Sequence, residues 1–447
     1  CLPAIVVLLF SIFGGVQPAV AGVPEPLPAV DEDSPGLELR TERILSGGTV
    51  GSLEATPVVG PDIPIYQADN EQYLPAVAYN WHHDEYLIVW HNVWGGGGRD
   101  IYARRVSGQG EILSWFSVSA GSYDRAQPSV AYDGDRDRYL VVWIYDYHGD
   151  GSDWDVRGRF IPWNGPDATV TEFSICDWNS DQWGPKVVYN ENPAWAEFLV
   201  VWANMATNVK TYISGRRVNA DGSGFQGGGF TIASDTVVNR VNPDVAYNLA
   251  RNEYLVTYST NQVDIHATRL EANGNSLGAG EFSVAGWPDA ESSPAIAACH
   301  TADQYFIAWQ SLQNSTHYDI YGRFVKGDGT LDTVHHLALR PIHEENPSIA
   351  CSPGAGHYLV VWEEQFSNLT GPYGISGRLI HTDKATDTDF VIVAPYVGTE
   401  RTKPTVAAGS PGYLVAWEHD RYGTSYQDIH GRLVWPAVVY LPLVTRE

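Results

Sequence analysis

The chain has 447 residues, of which 27 are Lys or Arg and 53 are Asp or Glu, and its formal net charge is -26. This charge argues against nucleic acid or an anionic membrane surface as a partner, because both require clustered basic side chains. It permits neutral glycans, cations and basic proteins. Gly (44), Tyr (25) and Trp (16) are abundant while Met occurs once, a composition typical of a turn-rich β protein.

The N-terminal residues have the pattern of a secretory signal. An apolar run from Ile5 to Val16 precedes Ala19-Val20-Ala21, which is a small-x-small cleavage pattern. We predict a signal peptide over residues 1–21, a mature protein that is secreted or held at the cell surface, and no membrane span after signal removal. Residues 22–45 are rich in Pro and carboxylates, which predicts an extended linker.

Residues 46–435 repeat one motif seven times. Each copy opens at a proline, and successive prolines are 51 to 58 residues apart: Pro75, Pro128, Pro185, Pro243, Pro294, Pro347 and Pro404. Four short runs rich in Val, Ile, Tyr and Trp belong to each copy, with Gly, Asn, Asp or Pro between them. We name these strands A to D. Four antiparallel strands repeated seven times predict an all-β fold, a seven-bladed β-propeller.

Three positions recur within the copies. We expect the Pro to be the first residue of strand A, where it costs no ladder hydrogen bond. Strand C has Gly or Ala at its centre in all seven copies, so a large group should lie over its backbone, and the Trp that ends strand B is our candidate. An Arg follows the small residue in six copies. We interpret it as part of the packing, against an aromatic ring or an Asp, and not as a binding ring. These arginines are Arg104, Arg159, Arg216, Arg323, Arg378 and Arg432.

The two ends of the repeat region predict how the ring closes. The segment "DIPIY" (62–66) resembles a strand D placed before the first strand A, while the last copy supplies only A, B and C. An N-terminal strand that completes the last blade would leave no open edge. The apolar tail 436–447 is then surplus, and we predict that it mediates anchoring, sorting or self-association. The alternative is that this tail itself supplies the last strand D.

Three cysteines follow the predicted signal peptide: Cys176, Cys299 and Cys351. An odd number in an exported protein leaves at least one free thiol. Whether Cys299 and Cys351 pair stays open at this point.

The repeat also resembles a known group of proteins. "RYLVVW" (138–143), "DIYGRFV" (319–325) and "DIHGRLV" (428–434) are similar to the YLVVW…DIYGxRV repeats of bacterial secreted proteins, over nearly all of residues 60–434. The pattern is distantly similar to TolB-type propeller repeats. The resemblance implies a secreted or surface propeller, and it transfers no catalytic residue. A propeller fold by itself does not select a function.

Aromatic residues gather in the connections expected at one face. In an up-and-down blade the B–C and D–A connections lie on the same face, and functional residues usually lie on such loops. Sugar rings stack on aromatic faces and their hydroxyl groups donate hydrogen bonds to Asp or Glu, so this face predicts carbohydrate binding; the alternative is that these side chains cap the blades. The candidate binding residues are Trp94, Tyr145, His148, Trp154, Trp178, Trp183, Trp287 and His343.

The same loops contain acidic residues that suit two further kinds of site. Asp146, Asp150 and Asp153 are candidate oxygen ligands for Ca²⁺; no other cofactor is indicated. Paired carboxylates, or His and Tyr with an Arg, would serve a glycoside hydrolase or a polysaccharide lyase. The candidates are Glu363, Glu364, Glu418, His419, Asp420 and Tyr422.

Two functions remain open. The first is an exported, non-catalytic propeller that binds a glycan or a surface protein through its B–C/D–A face. The second is a polysaccharide-active enzyme with its site on the same face, over the central channel.

Overall fold

The computed structural model describes residues 56–95, 97–149, 151–205, 210–352, 354–366, 371–410, 412–421 and 426–436. The predicted signal peptide, the linker and the tail from residue 437 onward lie outside these ranges. The described residues form strands and one short 3₁₀ helix, His300–Ala302. No helix among them is both long enough and apolar enough to cross a membrane.

The strands form seven antiparallel sheets, which are the blades of a seven-bladed propeller. Strand A of each blade lines the central channel, and strands B, C and D follow outward. The A strands are β3 (Glu71–Asn80), β7 (Arg125–Asp133), β11 (Asp181–Asn190), β15 (Arg240–Asn248), β19 (Ala290–Cys299), β23 (Glu344–Ser352) and β27 (Arg401–Ala408). The B strands are β4 (Glu85–Val93), β8 (Arg138–Asp146), β12 (Glu197–Met205), β16 (Glu253–Thr260), β20 (Gln304–Gln313), β24 (His357–Gln365) and β28 (Tyr413–Asp420).

The outer half of each blade is formed by strands C and D. The C strands are β5 (Arg99–Ser107), β9 (Trp154–Pro162), β13 (Tyr212–Asn219), β17 (Asp264–Glu271), β21 (His317–Lys326), β25 (Tyr373–His381) and β29 (Gln427–Trp435). The D strands are β6 (Ile112–Ser119), β10 (Phe173–Cys176), β14 (Phe230–Ala233), β18 (Ser276–Ala285), β22 (Leu331–Ala338), β26 (Phe390–Val393) and, for the last blade, β2 (Ile63–Tyr66). We number the blades 1 to 7 from β3 to β29.

The predicted closure is confirmed. Strand β2 pairs antiparallel with β29, with Ile63 opposite Gly431, so the N-terminal strand completes blade 7. A further short strand, β1 (Val58–Val59), pairs with the end of β29 at Trp435 and Val434. The position of the last strand D is therefore filled without the tail.

The tryptophans of strand B form the cores between blades. Trp143 of blade 2, for example, packs with Leu87 and Val89 of blade 1, and all six strand-B tryptophans are fully buried. Burial of such large rings removes much apolar surface from water at each blade contact. The predicted apolar runs therefore do form the core.

The repeated prolines do not begin strand A, contrary to our expectation. Strand β3 starts at Glu71, four residues before Pro75, and the pairing with β4 shifts between Tyr73 and Ala76. The same shift occurs at the proline of all seven A strands. A bulge leaves a residue outside the ladder, which is where a residue without an N–H group is tolerated.

The group that covers the centre of strand C is also not the Trp of strand B. A Cβ atom on Gly158 would lie 2.9 Å from Ile175, and one on Gly431 would lie 2.9 Å from Ile65. Both isoleucines belong to strand D of the same blade. In these two blades an apolar side chain of strand D therefore occupies the space that the missing Cβ leaves. In blade 5 the nearest group is the ring of Phe306 in strand B, 2.3 Å from a Cβ on Gly322.

The repeated arginines connect neighbouring blades. In all six cases the guanidinium donates to a main-chain carbonyl of strand D in the preceding blade; Arg159 of blade 2, for example, donates to Val118 of blade 1 at 2.8 Å. Arg216 also lies over the ring of Phe225, at 3.6 Å. The interpretation of these residues as packing elements is consistent with this geometry, although their main acceptor is the backbone.

Candidate functional site

Three of the candidate tryptophans are exposed. Trp94 is 43% exposed, Trp178 37% and Trp287 36%. Trp94 follows strand B of blade 1, while Trp178 and Trp287 follow strand D of blades 2 and 4. All three therefore lie in the B–C and D–A connections, next to the grooves between blades.

The groove between blades 7 and 1 is lined by aromatic rings. The ring of Trp115 lies 5.7 Å from Tyr66 and 5.8 Å from Tyr102, and Tyr102 lies 6.1 Å from Trp94. The indole N–H of Trp94 donates to Asp100 at 2.7 Å, which fixes the ring. The arrangement places rigid aromatic surface beside a carboxylate, as expected for sugar stacking.

The other two exposed rings occupy similar positions. Trp178 contacts the buried Trp202 edge-on at 6.2 Å, and Trp287 contacts Trp309 in the same way. Trp287 also lies 5.0 Å from Tyr321. Each ring thus covers the core at a blade contact and still exposes about a third of its surface.

Three other candidate binding residues serve mainly in packing. Tyr145 is buried between the guanidinium groups of Arg125 and Arg157, at 5.1 and 4.1 Å. Trp154 is 5% exposed and packs against the partly buried Trp183 at 5.6 Å. These rings offer little surface to a ligand.

The candidate calcium loop has its first carboxylate engaged by the backbone. The two oxygens of Asp146 accept N–H groups of Gly149 and Gly151, both at 2.8 Å, and Asp153 lies 3.4 Å from His148. Asp150 lies outside the described residues. Among those described, no group of three or more His, Cys, Asp or Glu side chains is arranged to hold a metal ion.

Two of the candidate catalytic carboxylates connect blades. Glu363 accepts the main-chain N–H of Lys403 in blade 7, and Glu418 accepts that of Leu74 in blade 1, each at 2.8 Å. Gln310 accepts the N–H of Asn346 in the same way. Each acceptor directly follows the buried strand-B Trp, and each donor directly precedes a repeated proline. We call these contacts the inter-blade latches.

Glu363 and Glu418, the carboxylates of the inter-blade latches, are buried, and burial shifts their pKa values. Burial raises the pKa of Glu363 to about 7 and also raises that of Glu418. Glu363 receives a second hydrogen bond from the side chain of Asn346 at 2.8 Å. The hydrogen bonds of Glu363 and Glu418 to main-chain N–H groups are thus made to the neighbouring blade.

The remaining candidates are spread over blades 6 and 7. Glu364 is fully buried, opposite Glu344 across the strand pair, and binds Arg340. His419 stacks on His430 at 4.2 Å, and burial lowers its pKa to about 4. Burial raises the pKa of Asp420, which is only partly exposed. Tyr422 lies outside the described residues.

A polar cluster that the sequence did not single out lies at the loop-face end of blade 6. Glu345 contacts His343 at 3.1 Å and accepts the hydroxyl of Tyr373 at 3.2 Å. Lys403, two-fifths exposed, places its ammonium group 3.8 Å from Glu363. Of these only His343 and Glu363 were candidates. Spacing from the repeated proline would have found Glu345 and Lys403, which lie two and one residues before Pro347 and Pro404.

The channel itself contains a cavity of about 390 Å³ at the level of the bulges. The seven prolines line it, together with the residues on either side of them except Ser129. Lys186 and Lys403 are among these residues, together with several amide and hydroxyl side chains.

Comparison with known proteins supports the fold and gives no family. No protein-family model matches the sequence, and no curated protein matches it. The polysaccharide lyase Uly1 is similar in structure, with a TM-score of 0.52 and 9% identity over 89% of this chain and 94% of that one. For the arabinofuranosidase Arb93A of Fusarium graminearum the TM-score is 0.49 and the identity 11%, over 74% of this chain and 99% of that one. For a protein of unknown function from Dyadobacter fermentans the TM-score is 0.46 and the identity 13%, over 86% of this chain and 99% of that one. At 9% identity the similarity to Uly1 shows the fold alone.

Proposed function

We propose that this protein is an exported, non-catalytic propeller that binds a glycan through its B–C/D–A face. The observation that carries the proposal is a contrast in exposure. Trp94, Trp178 and Trp287 present open aromatic surface on this face. The carboxylates that would perform acid–base chemistry, Glu363 and Glu418, are buried and hydrogen-bonded to the neighbouring blade.

The chemistry of the grooves favours a neutral glycan. A net charge of -26 repels polyanionic polysaccharides at low salt. Indole rings offer flat, rigid contact area at small entropic cost, and the hydrogen bond from Trp94 to the buried Asp100 holds one of these rings in place. Three similar grooves on one face also allow a repeating polymer to bind at more than one point, which raises its avidity.

The test is a glycan array with variants of the exposed tryptophans. We expect the wild type to bind neutral glycans, and Trp178→Ala and Trp287→Ala to bind about tenfold more weakly or worse. Trp195→Ala is the matched control, because Trp195 is equally exposed, at 37%, but lies in an A–B turn on the opposite face. Absence of glycan binding by the wild type, or an equal loss in the control, would contradict the proposal.

A second function has one observation in its favour. His343, Glu345 and Tyr373 form a connected group of proton donors and acceptors at the loop-face end of blade 6. Such a group is suited to a polysaccharide-active enzyme, a lyase or a hydrolase. Reducing-sugar release and absorbance of unsaturated uronates over a polysaccharide panel test this. Product formation that Tyr373→Phe and Glu345→Gln abolish would establish the enzyme and replace the binding proposal.

A further inference from the structure

A second, larger cavity occupies the opposite end of the channel. Its volume is about 870 Å³, and it is lined by the ends of strands A and by A–B turns. It is thus separate from the loop face described above. We call it the lower chamber.

The lower chamber results from an asymmetry in the repeat. The fourth residue after the repeated proline is Tyr in blades 1 to 4: Tyr79, Tyr132, Tyr189 and Tyr247. The same position holds a small residue in blades 5 to 7: Ala298, Cys351 and Ala408. Three of the tyrosines and all three small residues line the cavity. The space therefore lies where three rings of the repeat are missing.

The aromatic wall is held in place by hydrogen bonds. Tyr132 donates to Asp137 at 2.7 Å, and Tyr189 donates to Asp135 at 2.6 Å. Trp81, which is 49% exposed, lies edge-on to Tyr132 at 4.7 Å. Tyr132 and Tyr189 are only 5% and 6% exposed, so the ring surface that is open to a flat ligand is that of Trp81, which Tyr132 supports edge-on. Because this support is already in place, a ligand can pack on Trp81 at a small entropic cost.

Two polar side chains reach into the same cavity from the A–B connections of blades 3 and 5. His300 Nδ1 accepts the main-chain N–H of Leu249 at 3.1 Å, so the neutral imidazole carries its proton on Nε2. That atom lies 3.9 Å from a carboxylate oxygen of Glu191, which is too far for a hydrogen bond. Both side chains are partly exposed, at 25% and 39%. One ligand hydroxyl between them can accept from His300 and donate to Glu191.

The charge of the wall narrows the ligand class. None of the described residues that line the chamber is Lys or Arg, so nothing there neutralises an anion. Burial lowers the pKa of His300 and raises that of Glu191, which disfavours fixed charges at this place. We infer that the lower chamber is a second ligand site, which takes a neutral sugar, one or two pyranose rings in size, with one face on the aromatic wall and a hydroxyl between His300 and Glu191.

The test measures binding of methyl glucosides, galactosides, mannosides and xylosides to the full chain by calorimetry. It uses the variant Trp94→Ala/Trp178→Ala/Trp287→Ala, in which the loop face no longer contributes. We expect one glycoside to bind this variant as it binds the wild type. Adding Ala298→Tyr and Ala408→Tyr, which place the repeat's own tyrosine in blades 5 and 7, should abolish binding. This inference does not depend on the proposed function, since the two sites are removed by different substitutions.

If the variant that carries Ala298→Tyr and Ala408→Tyr does not fold, a second variant still tests the inference. Glu191→Ala should weaken binding about tenfold, because the ligand hydroxyl loses its acceptor. Three results would overturn the inference: no glycoside binds, the Glu191 variant binds as tightly as its parent, or tetramethylammonium binds while no glycoside does. The last result would identify a cation site instead.

Discussion

Arg104 in strand C of blade 1 donates a hydrogen bond of 2.8 Å to the main-chain carbonyl of Ile65 in the strand that closes blade 7. The same residue type makes the same contact at five other blade contacts. Ile65 is fully buried and its side chain covers Gly431 of its own blade. One residue of the closing strand thus contributes its side chain to blade 7 and its carbonyl to blade 1.

Substitution of Arg104 tests the importance of this contact. We expect Arg104→Met to lower the free energy of unfolding by about 1–3 kcal/mol, because a buried carbonyl loses a charged donor. Chemical denaturation measures this. Arg99→Met is the control, since Arg99 makes only a partly exposed ion pair with Asp124 and should cost less than about 1 kcal/mol. If both substitutions lowered the free energy of unfolding equally, the hydrogen bond between the blades would stabilise the protein no more than an exposed ion pair does.

Glu418 offers a direct comparison between a structural and a catalytic role. Glu418→Gln retains an oxygen for the N–H of Leu74 and should unfold close to the wild type. Glu418→Ala leaves that N–H without its acceptor and should cost about 1–3 kcal/mol. Thermal unfolding of both variants decides the matter. If Glu418→Gln were as unstable as Glu418→Ala, the latch would not explain this residue.

Blade 5 predicts a compensating pair of substitutions. A Cβ on Gly322 would lie 2.3 Å from the ring of Phe306, whereas blades 1 and 4 have Ala at this place, with Leu87 and Leu255 where blade 5 has Phe306. Gly322→Ala should therefore destabilise by about 1–3 kcal/mol through overpacking.

The double variant Gly322→Ala/Phe306→Leu should recover part of this loss. Gly98→Ala, at a site with nothing within 4 Å of the added Cβ, is the neutral control. The unfolding midpoints of five proteins test the prediction: the wild type, Gly322→Ala, Phe306→Leu, the double variant and Gly98→Ala. Additive effects of the two substitutions would contradict it.

Glu344 predicts a dependence of stability on pH. Burial raises its pKa from 4.5 to about 8, so the folded protein holds this proton between pH 4.5 and 8 while the unfolded chain releases it. The wild type therefore loses stability as the pH rises through this window. Glu344→Gln stays neutral and should be more stable than the wild type above pH 8, by on the order of 5 kcal/mol, because each unit between the pKa values 4.5 and about 8 corresponds to ~1.4 kcal/mol.

The difference should vanish near pH 4.5, where both proteins have a neutral side chain at this position. Denaturation at several pH values measures it. Glu111→Gln, at an exposed position, is the control and should show no such trend. A constant difference between Glu344→Gln and the wild type at all pH values would contradict the prediction.

Local sequence patterns predicted the blades well because strand pairing is a local property. Alternating apolar residues, turn residues and a proline at a regular interval define four adjacent strands, and they led to the closing strand at residues 62–66. The position of Pro75 inside strand A was not predicted. In the sequence a bulge resembles the end of a strand, because only the pairing with the neighbouring strand distinguishes the two.

The candidate site was predicted less completely. Exposure of Trp178 and burial of Trp154 follow from the neighbouring blade, and no pattern in either loop distinguishes them. Glu363 was a candidate for catalysis on the basis of its residue type, but its partner, the N–H of Lys403, lies in the next blade.

By itself the sequence determined the number of blades, their strand order and the segment that closes the ring, because each of these depends on contacts within one repeat or between neighbours in the chain. Only the tertiary structure decided which carboxylates bind backbone N–H groups, that Cys299 and Cys351 form a disulfide while Cys176 is free and buried, and where the cavities lie. The physical reason is that these features arise where two sheets face each other. Their relative twist and distance fix which side chains meet, and that geometry is set by the packing of all seven blades around the channel.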